Sequence, residues 1–355
     1  MKEVATVGID IAKNVFQVHG ISAQGDVVVR RKLRRSEVSE FFERLPPCLI
    51  GIEACATAHH WARHLMALGH EVKLMPAAYV RPYVKRQKND AADAEAICEA
   101  VQRPTMRFVP VKSEEQQGVL MLHRARELLV RQRTMLINAL RAHLAELGIA
   151  TRLGPMGVKD AVALIEHTDR NLIPEIVRHA LSPLCDQLRH VHTKIEEMDR
   201  QILEWHRSSA LSQRLSTIPG IGPVTASAIA ATITDVSSFH SGRQLAAWIG
   251  LVPRQSSSGG KERLGRITRQ GDPYIRRLLV IGATAVLRFS RKSNAASTQW
   301  ATKLLERKPG KVAAVALANK MARIVWALMT KDTSFRTAKS DKAGRVFEAN
   351  ELVRC

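Results

Sequence analysis

VATVGID at residues 4–10 and LIGIE at residues 49–53 are short apolar runs that each end in a carboxylate, and together with KRQKNDAADAEAICEAV at 85–101 they decide the fold. Val4–Asp10 reads as a β-strand, and Asn14–Ile21 with Val27–Leu33 read as two more, separated by Gly and Asp turn signals. Three adjacent strands predict a meander. The polar stretch Ser36–Arg44 reads as a helix, and Leu49–Glu53 and Glu71–Met75 as further strands. Glu53 is then expected beside Asp10 at the carboxyl edge of an open α/β sheet, where the backbone opens into a crevice.

Past Pro76 and Pro82, residues 85–101 predict a helix that starts near Asn89 or Asp90. Asp90 and Asp93 are three apart, a spacing that puts both carboxylates on one helix face, able to bind one ion or bridge two. A hard cation such as Mg²⁺ or Mn²⁺ takes oxygen ligands and needs only a few protein carboxylates alongside substrate phosphate. Two such ions about 3.5–4 Å apart stabilise the attacking and leaving oxygens of a phosphoryl displacement. Taken singly, each of these acids reads as a cap or a turn residue. Their order within one α/β unit makes Asp10, Glu53, Asp90 and Asp93 a candidate metal-ligating and catalytic set, and Lys85, Arg86 and Lys88 stand just upstream to attract phosphates.

The whole chain carries 54 Lys and Arg against 33 Asp and Glu, a net charge of +21. From Ser241 to Cys355 the balance is 23 Lys and Arg against 7 Asp and Glu, so most of the excess lies in the last third. That concentration is the footprint of a phosphate-binding surface. With no 18-residue apolar run and no signal peptide read at the start, the expectation is a cytoplasmic, nucleoid-associated protein without a membrane partner. Cys48, Cys55, Cys98, Cys185 and Cys355 include no C-x-x-C pair, which argues against a zinc site or a disulfide framework.

At 355 residues two or three domains are expected. We divide the chain into a nuclease-like domain at 1–112, a helical or coiled-coil region at 113–208 and a basic domain at 209–355. Leu122, Leu129 and Leu136 repeat every seven, with Leu140, Leu144 and Leu147 extending the apolar face. Leu184, Leu188, Val191, Ile195, Met198, Ile202 and Trp205 follow alternating four and three spacing. Two such helices pair either within the chain or between protomers. Gly148–Leu184 predicts turns and a shorter helix.

STIPGIGPVTASAIAATI at 216–233 has the form of a helix-hairpin-helix, with Gly220 and Gly222 in the turn and Ala226, Ile229 and Ala230 on a packing face. Amides at such a turn make a phosphate cradle. The alternative is an ordinary αα-turn. Ser256, Ser257 and Ser258 precede Gly259 and Gly260, among Arg254, Lys261, Arg263, Arg266 and Arg269. Chemistry alone reads this loop first as a flexible linker, and second as a serine nucleophile facing a phosphodiester among cations. Tyr274–Phe289, which carries Arg276 and Arg277, and Lys311–Met329 read as helices, the second with Lys320 and Arg323 on a solvated face. From about Lys331 the chain reads as poorly structured.

GIDIAKNVF, IGIEACATAHHW and KNDAADAEAI resemble the three acidic blocks of the DEDD insertion-sequence transposases, whose amino-terminal domain is RuvC-like, with the RNase H-like fold. The resemblance implies that Asp10, Glu53, Asp90 and Asp93 are the DEDD tetrad. IPGIGPVTA, GLVPRQSSSGG and GRITRQGDPYIRRLL are similar to the carboxy-terminal domain of the same family, which carries a catalytic serine just before a glycine. That implies Ser258, with Ser257 next in register. The family further implies recombination of a mobile element's ends with a target in double-stranded DNA, guided by a structured non-coding RNA, with a homo-oligomer (dimer or tetramer) expected. Because the acids and the serine lie on domains separated by a long helical pair, a composite site between protomers is expected, its geometry set by the seam from Leu184 to Trp205. Two alternatives stand beside it: a RuvC-like junction resolvase that uses water as nucleophile, and a non-catalytic nucleic-acid-binding protein.

Overall fold

The structure is a computed structural model that describes residues 3–85, 89–167, 172–290, 296–331 and 335. The chain divides into two compact units, Met1–Gln116 and Gln117–Cys355.

The first unit is a mixed α/β sheet. β1 (Thr6–Ile11), β2 (Val15–Ile21) and β3 (Val27–Arg34) form the expected antiparallel meander, while β4 (Leu49–Glu53) and β5 (Glu71–Met75) run parallel to β1, giving the order β3-β2-β1-β4-β5. α1 (Val38–Glu43) and α2 (Ala58–Ala67) supply Val38, Phe42, Trp61 and Leu65 to a core with Val7, Ile9, Phe16 and Ile50. The predicted Ser36–Arg44 helix begins instead as a 3₁₀ turn over Arg35–Glu37. Beyond β5 come a single turn, α3 (Ala77–Val80), and then α4 (Asp90–Val101), whose Ile97 and Val101 bury against Met75 and Val80.

Alternation along β1 separates two jobs. Val7 and Ile9 enter the core, so Gly8 and Asp10 take the other face. There, a Cβ on Gly8 would overlap the Ala94 carbonyl and stand 2.8 Å from the Cys98 Cα, so α4 lies directly on the strand backbone. Gly51 repeats this on β4, where a Cβ would come within 2.8 Å of the Val101 Cβ. The two glycines set how closely α4 approaches the sheet.

The second unit holds most of α5 (Glu114–Glu146), then α6 (Gly154–His167) and α7 (Glu175–Ser208). α5 and α7 pack against each other within the chain: Leu140 and Leu144 share a cluster with Leu181, Cys185 and Leu188, and Arg126 near one end of α5 pairs with Asp199 of α7. α7 starts earlier than the Leu184 seam suggests and runs through Pro183. Burial of Leu181 and Cys185 on either side holds the helix together across the missing N–H. A larger core joins α8 (Ala210–Ser216), α9 (Pro223–Thr232), α10 (Gly242–Trp248), α11 (Pro273–Ser290) and α13 (Gly310–Lys331), with α12 (Ala296–Leu305) packed on it through Leu304 and Leu305.

α13 is long and apolar enough to cross a membrane by length and composition, which corrects the reading that no such run exists. Ala314, Leu317, Met321, Val325 and Leu328 put half of it into this core. Lys320, read as solvated, instead sits half-buried with its ammonium 4.7 Å from the Trp300 ring centre. Beyond Lys331 only residue 335 is described, so the reading of the tail falls outside the described residues.

His123 of α5 is 1 % exposed and ties three helices together. Its Nδ1 lies 3.0 Å from the Tyr274 hydroxyl of α11 and its Nε2 3.1 Å from the Ser227 hydroxyl of α9. Burial pushes its pKa down to about 4, with Arg126 and Arg124 adding to the effect.

Three outcomes follow from this architecture. Gly8→Ala destabilises the protein by about 1–3 kcal/mol, the usual cost of overpacking, and speeds amide exchange along α4. Gly118→Ala, at a helical position where a Cβ meets nothing within 4 Å, stabilises by about 0.5–1 kcal/mol; denaturant melts of both variants check the opposite signs. The depressed His123 pKa means that the unfolded chain takes up a proton between pH 6.5 and about 4 that the folded chain refuses, so stability falls as pH falls through that window. This one group accounts for about 2 kcal/mol between pH 7 and pH 5, and His123→Gln, though weaker at pH 7, loses less than the parent over the same interval in paired denaturant melts.

Candidate functional site

Asp10 sits at the carboxyl end of β1, and parallel pairing of Ile9 with Ile52 carries Glu53 to the same level on β4. Gly8 and Gly51 both face α4, so alternation places Asp10 and Glu53 on that same face. α4 begins there. Its cap is Asn89, whose Oδ1 accepts the Ala92 N–H at 2.7 Å, and its first turn carries Asp90 and Asp93. One ligand oxygen each from Asp10, Asp90 and Asp93 lies within 4.8 Å of the others. Glu53 stands on the neighbouring strand outside that group.

Three carboxylates this close repel one another, and a divalent cation among them offsets the repulsion. All the donors are hard oxygens, Asp90 is exposed and Asp10 and Asp93 are half-buried, so the set suits a cation that keeps waters and takes a substrate phosphate. The residues present fit Mg²⁺ or Mn²⁺. Cys98, one turn beyond Asp93 and Ala94, is no ligand: it is buried, its thiol is pushed up to about 12 by burial, and it donates to the Thr6 carbonyl at 3.7 Å.

Of the upstream cations, Lys85 pairs with Glu95 of α4 at 2.9 Å, which lowers the Glu95 pKa through that hydrogen bond. Arg86 and Lys88 lie outside the described residues. His19, 5 % exposed on β2 and depressed in pKa by burial, lines a groove with Arg30, Lys32 and Asn89 beside the start of α4.

In the second unit, the serine triplet does not form a linker. β6 (Pro253–Gln255) and β7 (Leu264–Ile267) pair antiparallel, and Ser258 bridges to Lys261 around Gly259 and Gly260. Both glycines have positive φ, +56° and +76°, as a two-residue hairpin turn requires. Ser258 thus stands at a defined hairpin tip, exposed along with Arg254, Lys261, Arg263, Arg266 and Arg269.

The base of the hairpin is fixed. Arg269 holds a left-handed φ of 58° and donates its N–H to the Gly250 carbonyl at 3.2 Å. Arg276 donates to the carbonyls of Ile249 and Gln270 at 2.8 and 2.6 Å. Arg277 pairs with Glu127 at 2.8 Å and lies over the Tyr274 ring. These two arginines, read from sequence as phosphate contacts, are engaged within the protein.

α8 and α9 form a helix pair joined by a glycine turn. Gly220, at φ +88°, backs onto α11, where a Cβ would come within 2.9 Å of the Gly282 carbonyl. Gly222 is the N-cap of α9 and borders open space. Sequence reading placed Gly220 among phosphate contacts, and the structure gives it a packing reason.

Two family profiles match the chain. Residues 7–149 match a DEDD profile of the IS110 type, described as Transposase, and residues 212–298 match one described as Transposase IS116/IS110/IS902 family. A "Probable family 20 transposase" of Pseudomonas aeruginosa is 49% identical over 94% of this chain and 99% of its own length. The transposase for insertion sequence element IS1328 of Yersinia enterocolitica is 40% identical over 94% of this chain and 99% of its own. The transposase for insertion sequence element IS1111A of Coxiella burnetii is 38% identical over 95% of this chain and 92% of its own.

Titration of the full chain with Mn²⁺, followed by calorimetry, checks the acidic cluster: Asp10→Asn and Asp93→Asn each weaken binding at least tenfold, in line with about 1.4 kcal/mol or more for loss of a ligand, and Glu53→Gln weakens it less.

Proposed function

Because this chain belongs to the IS116/IS110/IS902 family of insertion-sequence transposases, enzymes that cleave and rejoin DNA, we propose that Asp10, Glu53, Asp90 and Asp93 are its metal-binding catalytic acids and Ser258 its nucleophile. The convergence of Asp10, Asp90 and Asp93 within 4.8 Å carries the first assignment. The sheet order β3-β2-β1-β4-β5, with its acids at one edge, supports an RNase H-like, RuvC-like reading of the first unit. Glu53 completes the set from the adjoining strand.

Asp10, Glu53, Asp90 and Asp93 would hold divalent ions, and these would supply electrostatic activation of the scissile phosphate and stabilisation of the leaving oxygen. The Ser258 hydroxyl, on a tip held by glycine turns and a clamped base, gives up its proton as its oxygen bonds to phosphorus, and the displaced deoxyribose oxygen takes up a proton. The phosphoserine ester keeps the bond for transfer to another strand's hydroxyl, which restores the serine. Arg254, Lys261, Arg263, Arg266 and Arg269, exposed around the tip, offset the phosphate charge. Lys85, with Arg86 and Lys88, assists at the first unit, and Gly222 leaves the α9 N–H groups open to a backbone phosphate in the manner of a helix-hairpin-helix.

Resemblance to this family further supports a structured guide RNA, a homo-oligomer and a coiled-coil role for the paired α5 and α7. Division into domains at 1–112, 113–208 and 209–355 belongs to the same reading.

Rapid denaturation of cells that carry the protein with its native flanking DNA tests the assignment. DNA remains covalently attached to the parent, and the adduct is lost with Ser258→Ala and with Asp93→Ala. Nicking that survives Ser258→Ala yet needs Asp93 would instead establish the hydrolytic resolvase, and adduct retained in Ser258→Ala but lost in Ser257→Ala would move the nucleophile by one residue.

A further inference from the structure

We propose that the groove between the β1–β2 hairpin turn and the start of α2 grips the sugar–phosphate backbone of the DNA strand being cut, a few nucleotides from the acidic cluster; this rests on the transposase reading above. Asn14, Arg34, Arg35, Ser36, His60 and Trp61 line an open groove of about 760 Å³. Its polar members include an amide, two guanidiniums and a hydroxyl, donors that hold phosphate oxygens in nucleic-acid complexes. No carboxylate lines it.

The arginines here differ from those that acids occupy. Arg44, Arg103, Arg124, Arg126, Arg152, Arg189 and Arg277 each pair with an Asp or Glu. Among the described residues, neither Arg34 nor Arg35 has a carboxylate partner for its guanidinium. Glu37, the nearby acid, accepts the Arg34 backbone N–H at 2.7 Å instead. Arg35 is also set in place. Its guanidinium carbon lies 5.2 Å from the Trp61 ring centre and 5.9 Å from that of Phe16, and it donates to the Lys13 carbonyl at 3.5 Å. Those contacts use one of its five N–H donors and leave the rest for a ligand.

Position within the first unit gives the groove its strand. Asp10 pairs with Gln17 and Ile11 with Phe16, and the Ala12 N–H bonds to the Val15 carbonyl, so Asn14 sits in the turn directly beyond Asp10. Four residues of chain reach at most about 13 Å, roughly four nucleotides of one DNA strand. α2, which contributes His60 and Trp61, likewise begins just after Glu53. The groove and the acids share the carboxyl edge of β1 and β4. The groove lies on the α2 side of that edge, with Phe16 and Trp61, and the acids on the α4 side, so a strand in the groove crosses the edge to reach them, its charge met on the way by Lys13, Arg34 and Arg35.

The test compares the full-length parent with the double variant Arg34→Ala/Arg35→Ala and with Arg34→Lys/Arg35→Lys, by fluorescence anisotropy across a salt series. One probe is a labelled DNA duplex of the native sequence flanking the gene, and the other is a labelled RNA transcribed from the same flank. Loss of two phosphate contacts lowers the salt slope of DNA binding by about 1.8, from about 0.9 per phosphate, and the lysine variant restores most of it. Mn²⁺ affinity stays at the parental value, since neither arginine is among the candidate ligands. An unchanged DNA slope, or a loss confined to the RNA probe, overturns the proposal. If the parent fails to cleave this DNA but the double variant still lowers the slope, the transposase reading fails and the groove stands. If the parent cleaves and the slope does not move, the groove fails alone.

Discussion

The first unit depends on the bare backbone of Gly8. Helix α4 carries two of the acids on its first turn, and β1 carries a third two residues beyond Gly8; only direct contact between the helix backbone and the strand brings all three within 4.8 Å. A methyl group at position 8 cannot be accommodated without moving the helix, because it would collide with the helix carbonyl at Ala94 and not with a flexible side chain. Gly51 imposes the same closeness one strand over, through Val101 at the far end of α4. The helix is thus held flat on the sheet at two points along its length. Ile97 and Val101 then gain burial that a more distant helix would lose.

The second unit solves a different problem, that of presenting an exposed hydroxyl on a stiff support. Its tip is exposed, and two glycines in the left-handed region make the turn without strain. Rigidity comes from below, where Gly250 and Gly271 let segment 269–271 press against the end of α10, and Arg276 donates to carbonyls on both sides. The buried His123, Tyr274 and Ser227 cluster fastens α5 to the same helices that carry this base. A cationic surface and a fixed core are therefore built from neighbouring arginines with different partners.

Much of the first unit was legible. The parallel strands show as short apolar runs ending in acids, the meander as alternation between turn residues, and α4 as a capped helix with Asn89 in the expected place. Ser258 is singled out by resemblance alone, and its hairpin is not legible, because β6 and β7 are exposed along almost their whole length and so lack the alternation that marks a half-buried strand. Charge counting points to Arg276 and Arg277 as part of a basic surface, but a composition carries no mark of their bonds to the Ile249 carbonyl and to Glu127. Lys320 was missed for the same reason, since its aromatic partner Trp300 is remote in sequence. Gly8 and the Arg34–Arg35 groove left no single-sequence signal beyond a glycine in a strand and a basic run from Arg30 to Arg35.

The most direct test of the acidic cluster is to grow crystals of the full chain with Mn²⁺ and locate the metal by its anomalous scattering. A peak is expected at about 2.0–2.3 Å from carboxylate oxygens of Asp10, Asp90 and Asp93, with Glu53 on its border. A cluster with these side chains ordered and no peak among them, or a peak held by other residues, would contradict it.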